Sequence, residues 1–158
     1  MRLLRSLLTF KLGALVGIAA AAAFVRRAVP SRGDEESNEL ALMAVLNGIE
    51  LESRAGAFTG GSMLAWFGGI AVDLRAAALA PGARLLTNTL FGGIEITVPP
   101  GWRIESNVKA LIGGVAAPTA TTDDPEAPVL TVEGTALFGG IAVAVKADGA
   151  SAGGTIER

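Results

Sequence analysis

The chain has 158 residues, 51% of them hydrophobic but only 5% aromatic, with 21 Gly, a formal net charge of −2, and no Cys, His or Tyr. That length holds one modest domain. The missing residue types exclude a disulfide framework, the usual nitrogen and sulfur ligands of zinc and iron, and acid–base chemistry on His, Cys or Tyr.

At the N-terminus six basic residues (Arg2, Arg5, Lys11, Arg26, Arg27, Arg32) and no acids bracket the uncharged apolar run 12–25. Fourteen helical residues reach roughly 21 Å at ~1.5 Å each. Extending the run back to Leu7 or Leu3 gives the ~20 residues a bilayer needs, with Lys11 and Arg5 snorkelling toward the headgroups. Residues 1–28 are therefore expected to form one hydrophobic transmembrane α-helix, an uncleaved single-pass anchor whose partner is the lipid bilayer. A cleaved secretory signal and an interfacial helix are the competing readings. Basic residues that bracket an apolar run, rather than forming a stripe, point to lipid headgroups and away from nucleic acid. The flanking charges balance, so they give no orientation. Residues 29–39 are polar, contain Pro and Gly, and read as a linker.

The body, 40–147, is built on an internal repeat. Trp66-Phe67-Gly68-Gly69-Ile70, Leu90-Phe91-Gly92-Gly93-Ile94, Leu111-Ile112-Gly113-Gly114-Val115 and Leu137-Phe138-Gly139-Gly140-Ile141 follow a worn copy at Val45-Leu46-Asn47-Gly48-Ile49, at spacings of 21, 24, 21 and 26. Periods of this size mark stacked supersecondary units, none able to bury its apolar face alone. After each pair the pattern alternates, as in Ile94-Glu95-Ile96-Thr97-Val98, which is the signature of a half-buried strand. Ala80-Pro81-Gly82 and Pro99-Pro100-Gly101 supply turns, and a second strand follows at 84–90, 102–106 and 129–133.

Two architectures satisfy this unit. One is an all-β, β-solenoid-like stack of about five Gly-Gly units, in which like strands of successive units pair in parallel and Phe67, Phe91 and Phe138 form an internal column with Ile112 in the same slot. The other is an antiparallel β-sandwich in which each glycine pair is a hairpin loop. Recurrence of the same residue types at the same unit position favours the solenoid. The polar stretch 119–128 reads as a loop bulging from one corner, and 148–158, rich in Gly, Ala and Ser, as a flexible C-terminal tail.

The succession Leu-Phe-Gly-Gly-Ile-Glu-Ile-Thr-Val-Pro-Pro-Gly-Trp-Arg-Ile at 90–104, flanked by further Phe-Gly-Gly units, resembles the C-terminal domain of LiaF-like proteins, named for the response to cell-wall-active antibiotics. The resemblance covers roughly 41–147. In that family the domain follows membrane-spanning helices, and LiaF restrains a two-component system that reports envelope damage. The resemblance implies a non-catalytic, membrane-anchored regulatory module in bacterial envelope stress, a membrane sensor protein as partner, and a body on the cytoplasmic side of the cell membrane. This chain departs from LiaF in having one candidate helix where LiaF has several.

No catalytic, cofactor or metal residue is expected. Glu50, Glu52, Asp73 and Glu95 fall at comparable distances after their glycine pairs, as in β-helix enzymes that act on acidic polysaccharides, yet each also fits the solvated face of an alternating strand. Asp123, Asp124 and Glu126 lack the ordered ligand spacing of a calcium loop. The glycine pairs open into strands, with no Lys-Ser or Lys-Thr and no helix start behind them, so they are not phosphate loops. The alternative to the regulatory module is a self-assembling, bactofilin-like scaffold, since an uncapped solenoid exposes strand edges. A polysaccharide-acting enzyme is third.

Overall fold

The alternation in the body has a direct structural outcome. A computed structural model describes residues 31–118, 122 and 124–147. These residues are all-β, with seven strands: β1 Glu39–Val45, β2 Gly48–Glu52, β3 Phe58–Trp66, β4 Gly68–Asp73, β5 Leu79–Val98, β6 Arg103–Ala116 and β7 Val129–Val145. The expected transmembrane helix at 1–28 and the tail at 148–158 lie outside the described residues. Among the described residues no helix is long and apolar enough to cross a membrane.

Every pair of named strands is parallel, so the glycine pairs are not hairpin loops. Each repeat unit contributes two legs that meet at the glycine pair. The first two units break there, into β1 and β2 and into β3 and β4, while β5, β6 and β7 each run through the corner as one strand. Equivalent residues lie in register, as in Ile49 beside Ile70, Ile70 beside Ile94, and Ile94 beside Ile141. The sheet is compatible with a β-solenoid.

The spatial order departs from chain order. β5 pairs with β7, and β7 with β6, so the fifth unit lies between the third and the fourth. Successive units therefore do not all stack on one another. The fourth unit, β6, is at the edge, where most of its side chains are exposed.

The core lies between the legs. Leu40, Leu42 and Ala44 of β1, Met63 and Ala65 of β3, Leu85 of β5, and Leu130, Val132 and Ala136 of β7 line one wall. Ile70, Val72, Ile94, Ile96, Ile141 and Val143 line the other. Phe58 is also fully buried. At roughly 1.5–3 kcal/mol for each fully buried aliphatic side chain, these columns are the main source of stability.

The first glycine of each pair is forced by close approach. A Cβ on Gly92 would stand 1.9 Å from the Gly68 carbonyl oxygen, and one on Gly139 the same distance from the Gly92 oxygen. Both glycines have φ of 153°, which turns that position toward the neighbouring unit. Of the two expected Pro-Gly turns, the one at Pro100-Gly101 is present and ends β5, whereas Pro81-Gly82 lies within β5, where a register shift against β3 absorbs it as a bulge instead of a change of direction. Trp102, just beyond Gly101, is buried in the core.

Residues 31–38 of the polar stretch lie against the first unit. Arg32 and Ala41 exchange two backbone hydrogen bonds, with Arg32 N–H donating at 2.7 Å and Ala41 N–H at 2.8 Å. Ser31 Oγ accepts from Met43 N–H at 3.0 Å. The outer edge of β1 is thus already occupied.

Candidate functional site

The largest surprise is the side on which the phenylalanines stand. They form the expected column, with ring centroids 4.7 Å apart for Phe67 and Phe91 and 4.8 Å for Phe91 and Phe138, at interplanar angles of 20° and 6°. These distances match the ~4.8 Å strand spacing, so the ring stack follows from in-register parallel pairing. The column is external, however, not internal. Phe67, Phe91 and Phe138 are 47%, 39% and 41% exposed, and Leu46 and Ile112 continue the line at either end at 49% and 56%.

Pleat parity explains the outward position. Counting back from the buried Ile94, alternation puts Gly93 out, Gly92 in and Phe91 out. Counting forward from Leu85, Thr87 and Thr89, which all face the core, would instead put Phe91 in. The two legs disagree, and the corner between Thr89 and Phe91 resolves the conflict in favour of the second leg. Phe67, like Leu46, reaches this corner with a φ of 55°, a left-handed conformation costly for a bulky residue. Trp66 packs against Phe67 at 6.4 Å and is half-buried.

The result is an exposed apolar ridge. Five side chains, from Leu46 through the three rings to Ile112, cross the whole stack, with Leu111 beside its end at 71% exposure. A contiguous exposed apolar line of this length is a feature of interaction sites rather than of inert surface.

The second leg bears the carboxylates considered as an acid–base cluster. Glu50 and Glu95 share a column with Ala71 between them, two units apart or about 9.6 Å at ~4.8 Å per unit. Glu52 is the register partner of Asp73. Most of these acids are paired with bases: Asp73 with Arg75 at 2.6 Å, Glu52 with Arg54 at 3.4 Å, and Glu95 with Lys146 at 3.6 Å. The Arg75 hydrogen bonds hold the Asp73 carboxyl below its usual 3.8, against its modest desolvation. A carboxylate kept ionised in this way is the opposite of a proton donor at neutral pH.

A shallow groove of about 890 Å³ runs along the same leg over the second glycines, Gly69, Gly93 and Gly140, beside Glu50 and Glu95. Its floor is backbone and small side chains. In the 119–128 stretch, Asp123 lies outside the described residues, and Asp124 Oδ1 accepts the Glu126 N–H at 2.9 Å in a local turn. Among the described residues no group of three or more acids converges as a cation site would require. The ridge is therefore the feature with the clearest capacity to bind, and its ligand would be apolar.

No protein-family model, curated protein or solved structure matches this chain. The LiaF-like resemblance rests on the residues between 41 and 147 that carry it.

Proposed function

We propose that this protein is a non-catalytic interaction module of the bacterial envelope-stress response, anchored to the cell membrane by residues 1–28, with its body on the cytoplasmic side. The parallel sheet is read as a β-solenoid of five two-legged units, and the exposed ridge as the face that meets a membrane sensor protein. One observation carries this reading: three rings and two aliphatic side chains, aligned across the stack, stand outside a core that is complete without them. A rigid apolar line on stacked strands loses little conformational entropy on docking, which favours recognition of an apolar helix or groove.

The scaffold alternative requires head-to-tail stacking, with both ends of the solenoid bare. The Arg32 bridge on β1 argues against it, because an incoming strand would meet an edge already in use. The polysaccharide enzyme is disfavoured by the pairing of Asp73, Glu52 and Glu95 with bases.

The test is a photo-reactive residue at position 91 of the full chain, in living cells treated with a cell-wall-active antibiotic. A crosslink to an integral membrane protein that responds to the antibiotic, and that Phe67→Ser with Phe138→Ser abolishes, is expected. Crosslinks to lipid alone, or none, would overturn the proposal.

A further inference from the structure

The two ends of the stack are finished differently. At the β1 end, Arg32 and Ser31 occupy backbone groups of Ala41 and Met43. At the other end β6 pairs only with β7, so one edge of a 14-residue strand carries backbone donors and acceptors with no strand beside it among the described residues. Such an edge is a template for another strand.

We infer that this edge pairs with the β6 edge of a second copy of the chain, antiparallel about a two-fold axis, to give a closed dimer. The charges on β6 are self-complementary. Glu105 and Lys109 are exposed and have no ion pair among the described residues. They lie four residues apart, both on the face opposite the buried Ile104.

Backbone geometry restricts the register. In a strand with one parallel neighbour, alternate residues turn their N–H and C=O toward that neighbour and the others turn outward. Outward residues must meet outward residues across the new pairing, so residues opposite one another are both odd-numbered or both even-numbered. Within that restriction, placing Glu105 opposite the partner's Lys109 sets Asn107 opposite its own copy and Arg103 opposite the partner's Leu111. The pairing then spans residues 103–111 of each strand and forms two Glu–Lys pairs. Arg103 opposite Glu105 also joins opposite charges, but it aligns only the first three residues of β6. The other registers set like charges opposite or leave Glu105 without a counter-charge. A two-fold arrangement satisfies the β6 edge of each copy and closes on itself there, leaving the short β2 edge at the far end, which pairs only with β4 among the described residues, outside the interface.

The inference does not depend on the ridge or on a sensor partner. The chain has no cysteine, so a single introduced thiol reports the register cleanly. In full-length protein in detergent micelles, Asn107→Cys should form a disulfide-linked dimer on mild oxidation, because directly opposed Cα atoms in antiparallel strands lie within disulfide reach. Glu39→Cys, at the opposite end, should stay monomeric on a reducing-free gel. Sedimentation of the wild type should show a dimer, Glu105→Lys should raise its dissociation constant about tenfold by setting Lys opposite Lys, and adding Lys109→Glu should restore it. Rescue by the charge swap separates pairing from a folding defect. A monomer at all concentrations, no disulfide at 107, or failure of the swap to rescue would overturn the dimer. So would dimerisation appearing only after deletion of residues 148–158, which would make that segment the occupant of the edge.

Discussion

Two columns of apolar side chains run side by side through this protein, three residues apart in sequence and on opposite sides of the sheet. Ile70, Ile94 and Ile141 are at most 2% exposed, while Phe67, Phe91 and Phe138 are all above a third. The columns have the same period and comparable hydrophobicity. The difference teaches that a repeat specifies which residues stack, whereas pleat parity at the corner specifies which side they stack on.

The glycine between the columns offers the strongest way to break the comparison. Gly92→Ala puts a methyl into the Gly68 carbonyl and should cost about 4 kcal/mol or more, read from denaturant unfolding. Gly93→Ala, where the nearest atom is an oxygen at 3.8 Å, should be neutral or stabilising by about 0.4–1 kcal/mol. Equal losses at both positions would mean that the corner is not set by that close approach. Next comes the inner column: Ile94→Ala should cost about 2–5 kcal/mol, as a cavity in a closed core does. Phe91→Ala in the outer column loses two ring stacks and should cost only about 1 kcal/mol. If Phe91→Ala destabilised as much as Ile94→Ala, the ridge would be part of the core.

The smallest effect sharpens the same contrast on the charged side of the second leg. The folded Asp73 carboxyl titrates below 3.8, so its contribution is present above that pH and is lost as pH falls through the lowered folded value. Asp73→Asn should remove about 1 kcal/mol or less, since the pair is at the surface, and should flatten the acid limb of stability below pH ~4. An unchanged acid limb would remove the Arg75 pairing from the account.

Much of the fold was legible because strands after the glycine pairs alternate without interruption. Ile49, Ile70, Ile94 and Ile141 are register partners, as equal unit positions imply. The order of the units was the missed inference, and its signal was present. The second, third and fifth copies read Phe-Gly-Gly-Ile, while the first reads Leu-Asn-Gly-Ile and the fourth Ile-Gly-Gly-Val. Terminal units of a stack are characteristically atypical, so the two worn copies mark the ends. Stacking the copies in chain order would also put Ile112 between Phe91 and Phe138 and break their stack. The side of the ring column was harder to read, because the first leg and the second leg give opposite parities for Phe91 and only the place of the corner decides between them. Trp102, directly after the turn at Gly101, is buried, which no alternation in its neighbourhood signals.

The insertion of β7 between β5 and β6 has a kinetic consequence. In most repeat proteins each new unit can settle on the one before it, so structure grows as the chain is synthesised. Here β6 leaves the ribosome with no strand to join, since its one neighbour among the described residues, β7, is made later. The first three units can assemble progressively, but the last two must close in one late, non-local step that is intrinsically slow. Until then β6 has neither edge paired, and its apolar second half, Ala110 to Ala116, is exposed to wrong partners.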